Sequence, residues 1–347
     1  MIAARYTQGG ELVVGETAMP RPDAGELLLK VEAASICGTD VKIVRHGHRK
    51  LAEGQTITLG HEFVGRILEV GANVQGWKPG QRVGVAPNLG CGQCEMCGRG
   101  MANMCPDYSA FGINFDGAHA EYVRVPAAAI QQGNVMQIGE AMAAEEATLA
   151  EPLSCAVNGL RVSRVELGDV VVVFGAGPMG LLNIMCANIS GASAVGVVDR
   201  NAARVENAKK LGASWTVDSS KQSVMDAIKA KTNGRGADAI ILAAAAGELQ
   251  QLAIGLLAPF GRLCLFAGLA RGDSQVMLDT NDIHYKNLVV TGMTGGSPRD
   301  YRIALRLMET GRIKARAVVS DAFAMKDLKK AYEAAMSGNS MKVVVKG

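Results

Sequence analysis

Hydrophobic positions change rhythm along the chain. From residue 1 to about 150 they fall in short runs broken by glycine and proline, and 26–31, 63–70 and 82–85 read as strands. Turns such as Lys78-Pro79-Gly80-Gln81 separate them. From 169 to about 293 the apolar runs become continuous and rich in β-branched residues, at 170–174, 194–199, 239–243, 262–267 and 288–292. Strands of that kind are covered on both faces, as in a parallel sheet. Between the first two lies 178–189, a predicted helix opening on Pro178, whose missing N–H costs nothing in a first turn. Strand and helix alternate, which predicts a doubly wound sheet. The tail returns to mixed character, with helices expected near 299–310 and 325–337 and a closing strand at 342–346. The expected class is α/β, a β-rich domain followed by a doubly wound parallel one.

Composition narrows the partners. The 347 residues suffice for two domains. A net charge of +3 gives no general pull toward nucleic acid or an anionic membrane. No apolar run is long enough to span a bilayer, and residues 1–6 lack the pattern of a signal peptide. Of eight cysteines, four are bunched at metal-ligand spacing, which argues against a disulfide framework. A cytoplasmic protein is expected.

Those four are Cys91, Cys94, Cys97 and Cys105. Their surroundings, 88–107, read as a loop with little apolar to bury except methionines, so the segment needs a staple. Structural zinc, closed by four thiolates, is the favoured occupant. An iron–sulfur cluster competes, because Cys105-Pro106 ends the motif, but the last interval is too long for ferredoxin spacing. Unliganded thiols are a third reading.

Gly175-Ala176-Gly177-Pro178-Met179-Gly180 follows the first long strand and opens the predicted helix. Gly175 permits the turn, Gly177 lets backbone N–H groups approach a pyrophosphate, and Gly180 lets the helix pack closely. Asp199 ends the next strand, where a carboxylate accepts from both ribose hydroxyls and repels a 2′-phosphate. NAD is therefore favoured over NADP, although Arg200 and Arg204 stand close enough in sequence to receive that phosphate. A glycine turn without a nucleotide is the bland alternative.

A second donor set is mixed: Cys37, His61, Glu62 and Glu151. Taken singly, each has an ordinary reading as a core or capping residue. Together with the cysteine lobe and the glycine loop they describe an open metal site beside a closed one.

These motifs, Cys37-Gly38-Thr39-Asp40, Gly60-His61-Glu62, the four-cysteine lobe, Glu151-Pro152-Leu153-Ser154 and Gly175–Gly180, resemble the zinc-containing medium-chain alcohol dehydrogenases. The resemblance covers essentially the whole chain and is nearest the sorbitol, threonine and galactitol-phosphate dehydrogenase branch. It implies a GroES-like catalytic domain at 1–153, a Rossmann domain at 154–296 and a segment at 297–347 returning to the first, with the active site in the cleft. It implies two zinc ions per chain, NAD, a small alcohol substrate and a homodimer or homotetramer. Cys37, His61, Glu62 and Glu151 would serve the catalytic zinc, the two carboxylates either directly or through its water. Zinc would acidify the substrate hydroxyl, and hydride would pass to the nicotinamide. Thr39 would begin the proton relay, with Glu62 a second catalytic group.

Three departures stand out. Lys42 occupies the place where many relatives have a relay histidine. Gly295, with Gly296 beside it, stands in place of a sorbitol-contacting arginine, which reads as a roomier pocket. Lys42 to Lys50 gathers Lys42, Arg45, Arg49, Lys50, His46 and His48, either a solvated surface loop or a subsite for a substrate phosphate or carboxylate. The function expected is NAD-linked oxidation of a polyol or sugar derivative. Alternatives are an anionic substrate (polyol phosphate, aldonate or 3-hydroxy amino acid), a zinc-free reductase of the same fold, or a non-catalytic NAD-binding sensor.

Overall fold

The computed structural model describes residues 1–270 and 272–347. It divides into two compact units, Met1–Ser154 with Gly295–Gly347, and Cys155–Thr294.

The second unit holds six parallel strands in the order Trp215–Asp218, Ala194–Asp199, Val170–Phe174, Ala237–Leu242, Leu257–Leu265, Val289–Gly292. All neighbouring pairs are parallel, Val172 facing Gly196 on one side and Ile240 on the other, with one register shift between Ala237 and Ala239. Val172, Phe174, Ile240 and Leu263 are buried in one core cluster, the physical reason for their continuous apolar runs. The expected helix spans Pro178–Ile189.

In the first unit, Val135–Gln137, Arg82–Val85, Glu62–Val70, Leu27–Ile36, Lys342–Lys346 and Val319–Ala324 follow one another across a seven-stranded sheet. The seventh, Tyr122–Val125, pairs with Leu27–Ile36. Lys342–Lys346 lies antiparallel to Leu27–Ile36, with Val343 opposite Ile36. The C-terminal segment is thus an internal strand of the N-terminal sheet, and this pairing brings Lys342 to the same end of the sheet as Glu62.

Local polarity misleads at two places. The basic run is helical over Gly38–His46, because Asp40 and Ile43 are buried and Val41 and Val44 pack against the core. The cysteine lobe contains short helices, Glu95–Gly98 and Ala102–Met104, beside a two-stranded pairing of Asn88 with Ala110 and Leu89 with Ser109. Among the described residues no helix is long and apolar enough to cross a membrane.

Candidate metal centres and nucleotide loop

Cys37 caps the helix Gly38–His46, its N–H donating to Asp40 Oδ2 at 2.8 Å. The same carboxylate accepts from Gly60 N at 3.3 Å, so one buried aspartate holds the segments on which Cys37 and His61 are carried. Gly60 has φ +98°, and a Cβ there would meet the His119 ring at 2.5 Å. His119 is itself fixed, Nδ1 to the Tyr332 hydroxyl at 2.5 Å and Nε2 to Ser35 O at 3.2 Å.

Donor atoms of Cys37, His61 and Glu62 lie within 4.8 Å of one another. His61 Nδ1 is buried without a hydrogen bond, 3.5 Å from Asp40 Oδ1. Burial alone would lower the imidazole pKa, but the Asp40 and Cys37 charges outweigh it and raise it well above the ordinary value. A buried imidazole beside a thiol and a carboxylate, its Nδ1 turned toward Asp40, fits a zinc ion.

Glu62 is fully buried, and both of its oxygens are engaged. Lys342 Nζ lies 2.6 Å from Oε1 and 2.5 Å from Oε2, and the Ser35 hydroxyl donates to Oε2. Burial would lower the lysine pKa; Glu62, followed by Cys37 and Glu151 among the contributing charges, raises it instead. Glu151 stands in the first turn of Ala150–Val162, buried, and outside the three-residue group. Its charge reaches Lys342 and Tyr301. Thr39 is exposed in the first turn of the helix that follows Cys37. Lys342, Ser35 and His119 escaped the sequence reading; a lone lysine opening an apolar strand was the only signal.

Sulfurs of Cys91, Cys94, Cys97 and Cys105 also lie within 4.8 Å of one another. Cys94 Sγ is 3.7 Å from Cys105 Sγ, and Cys91 N donates to Cys105 Sγ at 3.2 Å. Backbone N–H groups of Gln93 and Cys94 bring Cys91 down to about 7, whereas burial pushes Cys97 up to about 12. A Cβ at Gly90 would stand 2.3 Å from Cys97 Sγ, so the backbone there runs directly against the sulfurs. Four thiols this close fit a closed tetrahedral site.

In the nucleotide loop, Gly175 has φ +97°, and a Cβ at Gly180 would come within 1.8 Å of Gly175 O. A Cβ at Gly177 would meet nothing within 4 Å, leaving space at the N-terminus of Pro178–Ile189 where a phosphate fits. Met179 is half-buried in the first turn of that helix. Asp199 Oδ2 accepts from Ala176 N at 2.7 Å and Oδ1 from Asn201 N at 2.8 Å. Arg204 lies on Ala202–Lys210, its N–H donating to the Asn201 cap at 3.1 Å.

The departures resolve differently. Gly295 has φ +55°, a Cβ at 296 would stand 2.2 Å from Ser154 Oγ, and one at 295 would stand 2.9 Å from Asn88 Nδ2. Both glycines are therefore packed tightly against Ser154 and Asn88. In the basic run, Arg45 donates to Met336 O at 2.8 Å, and Lys50 bonds Tyr108 O and lies 4.5 Å from the Tyr108 ring centroid. Lys42 and Arg49 are exposed, and their side chains make no ion pair or hydrogen bond with the described residues.

Residues 23–136 match the alcohol dehydrogenase GroES-like domain, and 178–310 match the zinc-binding dehydrogenase domain. An L-threonine 3-dehydrogenase from Pyrococcus abyssi is 34% identical over 354 aligned positions, covering 99% of this chain and 98% of the relative. A Sinorhizobium meliloti 1021 protein described as a zinc-binding dehydrogenase, solved bound to NADP, superposes with TM-score 0.91 at 31% identity, over 100% of this chain and 99% of that one. Galactitol-1-phosphate dehydrogenase from Escherichia coli gives TM-score 0.89 at 26% identity, over 100% of both.

Proposed function

Given that the chain belongs to the zinc-containing medium-chain alcohol dehydrogenases and uses zinc and a nicotinamide dinucleotide, we propose that it moves a hydride from a secondary alcohol of a polyol or related sugar derivative to NAD. The observation that carries this is the open donor set of Cys37, His61 and Glu62, separate from the closed set of four thiols. In this reading 1–153 and 297–347 form the catalytic domain and 154–296 the nucleotide domain.

Cys37 and His61 hold the metal, His61 through Nε2 because its Nδ1 is turned toward Asp40. Glu151 is the further carboxylate ligand, directly or through water. Lys342 and Ser35 would hold both oxygens of Glu62 beside the metal. When bound, zinc supplies the Lewis acidity that makes an alcohol hydroxyl ionisable near neutral pH. The exposed Thr39 hydroxyl would accept that proton as it releases its own to solvent. Gly177 and the start of Pro178–Ile189 hold the pyrophosphate, and Asp199 the adenosine ribose.

An anionic substrate is the second reading. Relatives named for L-threonine and galactitol-1-phosphate favour it, as do the unpaired cations Lys42 and Arg49. Assaying polyols, polyol phosphates, aldonates and 3-hydroxy amino acids for NADH formation separates the two. Turnover of no member of the panel with either NAD or NADP would overturn both.

A cytoplasmic setting goes with this reading, because a four-thiolate site needs reduced cysteines. A homo-oligomer is proposed from the sheet edge at Val289–Gly292, where Val289 is exposed and Tyr285 and Phe260 are 78% and 69% exposed. A monomer by sedimentation at micromolar concentration would exclude it.

A further inference from the structure

A cavity of about 460 Å³ opens on the first unit, lined by no residue of either metal group or of the nucleotide loop. That volume suits a small metabolite. Three guanidiniums line it, those of Arg5, Arg21 and Arg124, against two carboxylates, Glu26 and Asp116. Both carboxylates are already engaged. Glu26 Oε2 accepts from Asp23 N at 3.0 Å and lies 3.3 Å from Arg124, which also bonds Asp23; Asp116 accepts from Thr58 N at 2.8 Å. The side chains of Arg5 and Arg21 make no ion pair or hydrogen bond with the described residues.

Two of these arginines have their backbones held in sheet pairings. Arg5 lies mid-strand, paired with Val13 on one side and Thr58 on the other, and Arg124 is paired with Leu28. Like charges facing one concave space repel. A bound anion offsets that repulsion, and guanidiniums present the paired donors that carboxylates and phosphates accept. We propose that this cavity binds a small multiply charged anion, a polycarboxylate or a phosphorylated metabolite, with Arg5 and Arg21 as its principal contacts.

The test titrates the zinc-loaded enzyme with citrate and, separately, inorganic pyrophosphate, by calorimetry. NADH is kept saturating so that the glycine loop is filled, and chloride controls match the ionic strength. Saturable binding of at least one probe is expected, weakened about tenfold or more in Arg5→Gln/Arg21→Gln and steeply reduced by salt. Both substituted side chains are exposed, so the variant should fold; its NADH-forming activity reports this. No saturable heat with either probe, or equal affinity in the double variant, would overturn the site. A change of sedimenting mass in the double variant without loss of anion binding would instead make the cavity a contact between copies.

Discussion

Lys342 and Glu62, 280 residues apart, form a buried ion pair in which one ammonium spans both carboxylate oxygens, at 2.6 and 2.5 Å. Neither side chain is more than 5% exposed. The pair ties the last strand to the segment carrying His61, and it sets a fixed positive charge among Cys37, Glu62 and Glu151. Lys342→Met strands a buried carboxylate and should cost about 3–5 kcal/mol, while Lys342→Arg should lose less. Urea unfolding of metal-stripped protein measures this. A Lys342→Met variant as stable as the parent would make the pair incidental.

Two zinc ions per chain should differ in lability. Four thiolates close one site, whereas the other keeps a position for exchange. Dialysis against a chelator should remove one equivalent first and abolish turnover, leaving the second with Cys91, Cys94, Cys97 and Cys105. Elemental analysis at each step checks it. Iron in place of zinc, or full activity with one zinc remaining, would contradict the assignment.

Much of this was legible in the sequence, for physical reasons. Parallel strands covered on both faces must be apolar throughout, so Val170–Phe174 announces itself. Cysteines that share one metal sit at short spacings that packing alone would not impose. Long-range pairing leaves no such trace. Nothing near Lys342 in sequence points to Glu62, and nothing near Gly296 points to Ser154, whose hydroxyl packs directly against that glycine. The helix Gly38–His46 was obscured because its buried face is narrow and includes an aspartate.

Asp199 should set coenzyme preference. Both of its oxygens are oriented by backbone N–H groups, at 2.7 and 2.8 Å, which fixes the carboxylate at the end of its strand. A 2′-phosphate brought there meets an immobile negative charge. Asp199→Asn removes the charge and keeps one acceptor, so the NAD to NADP ratio of kcat/KM should fall, with about 1 kcal/mol of stability lost with a backbone bond. Equal use of both coenzymes by the unaltered enzyme would overturn this role for Asp199.

Asp238 offers a pH test independent of either metal. Burial would raise its pKa, but the Arg235 guanidinium and the Val170 N–H, donating at 2.8 Å, outweigh it and hold it below the ordinary 3.8. A carboxylate depressed on folding contributes stability that is fully present above its unfolded pKa. That contribution disappears as pH falls through the folded value. Arg235 is half exposed, so solvent screening limits the ion pair to less than about 1 kcal/mol, and the backbone bond adds about as much again. Asp238→Asn should therefore lower the melting temperature of the nucleotide unit at pH 7, and the gap from the parent should shrink below pH 4. Parallel melting curves for the two proteins down to pH 3 would show that Asp238 carries no linked proton.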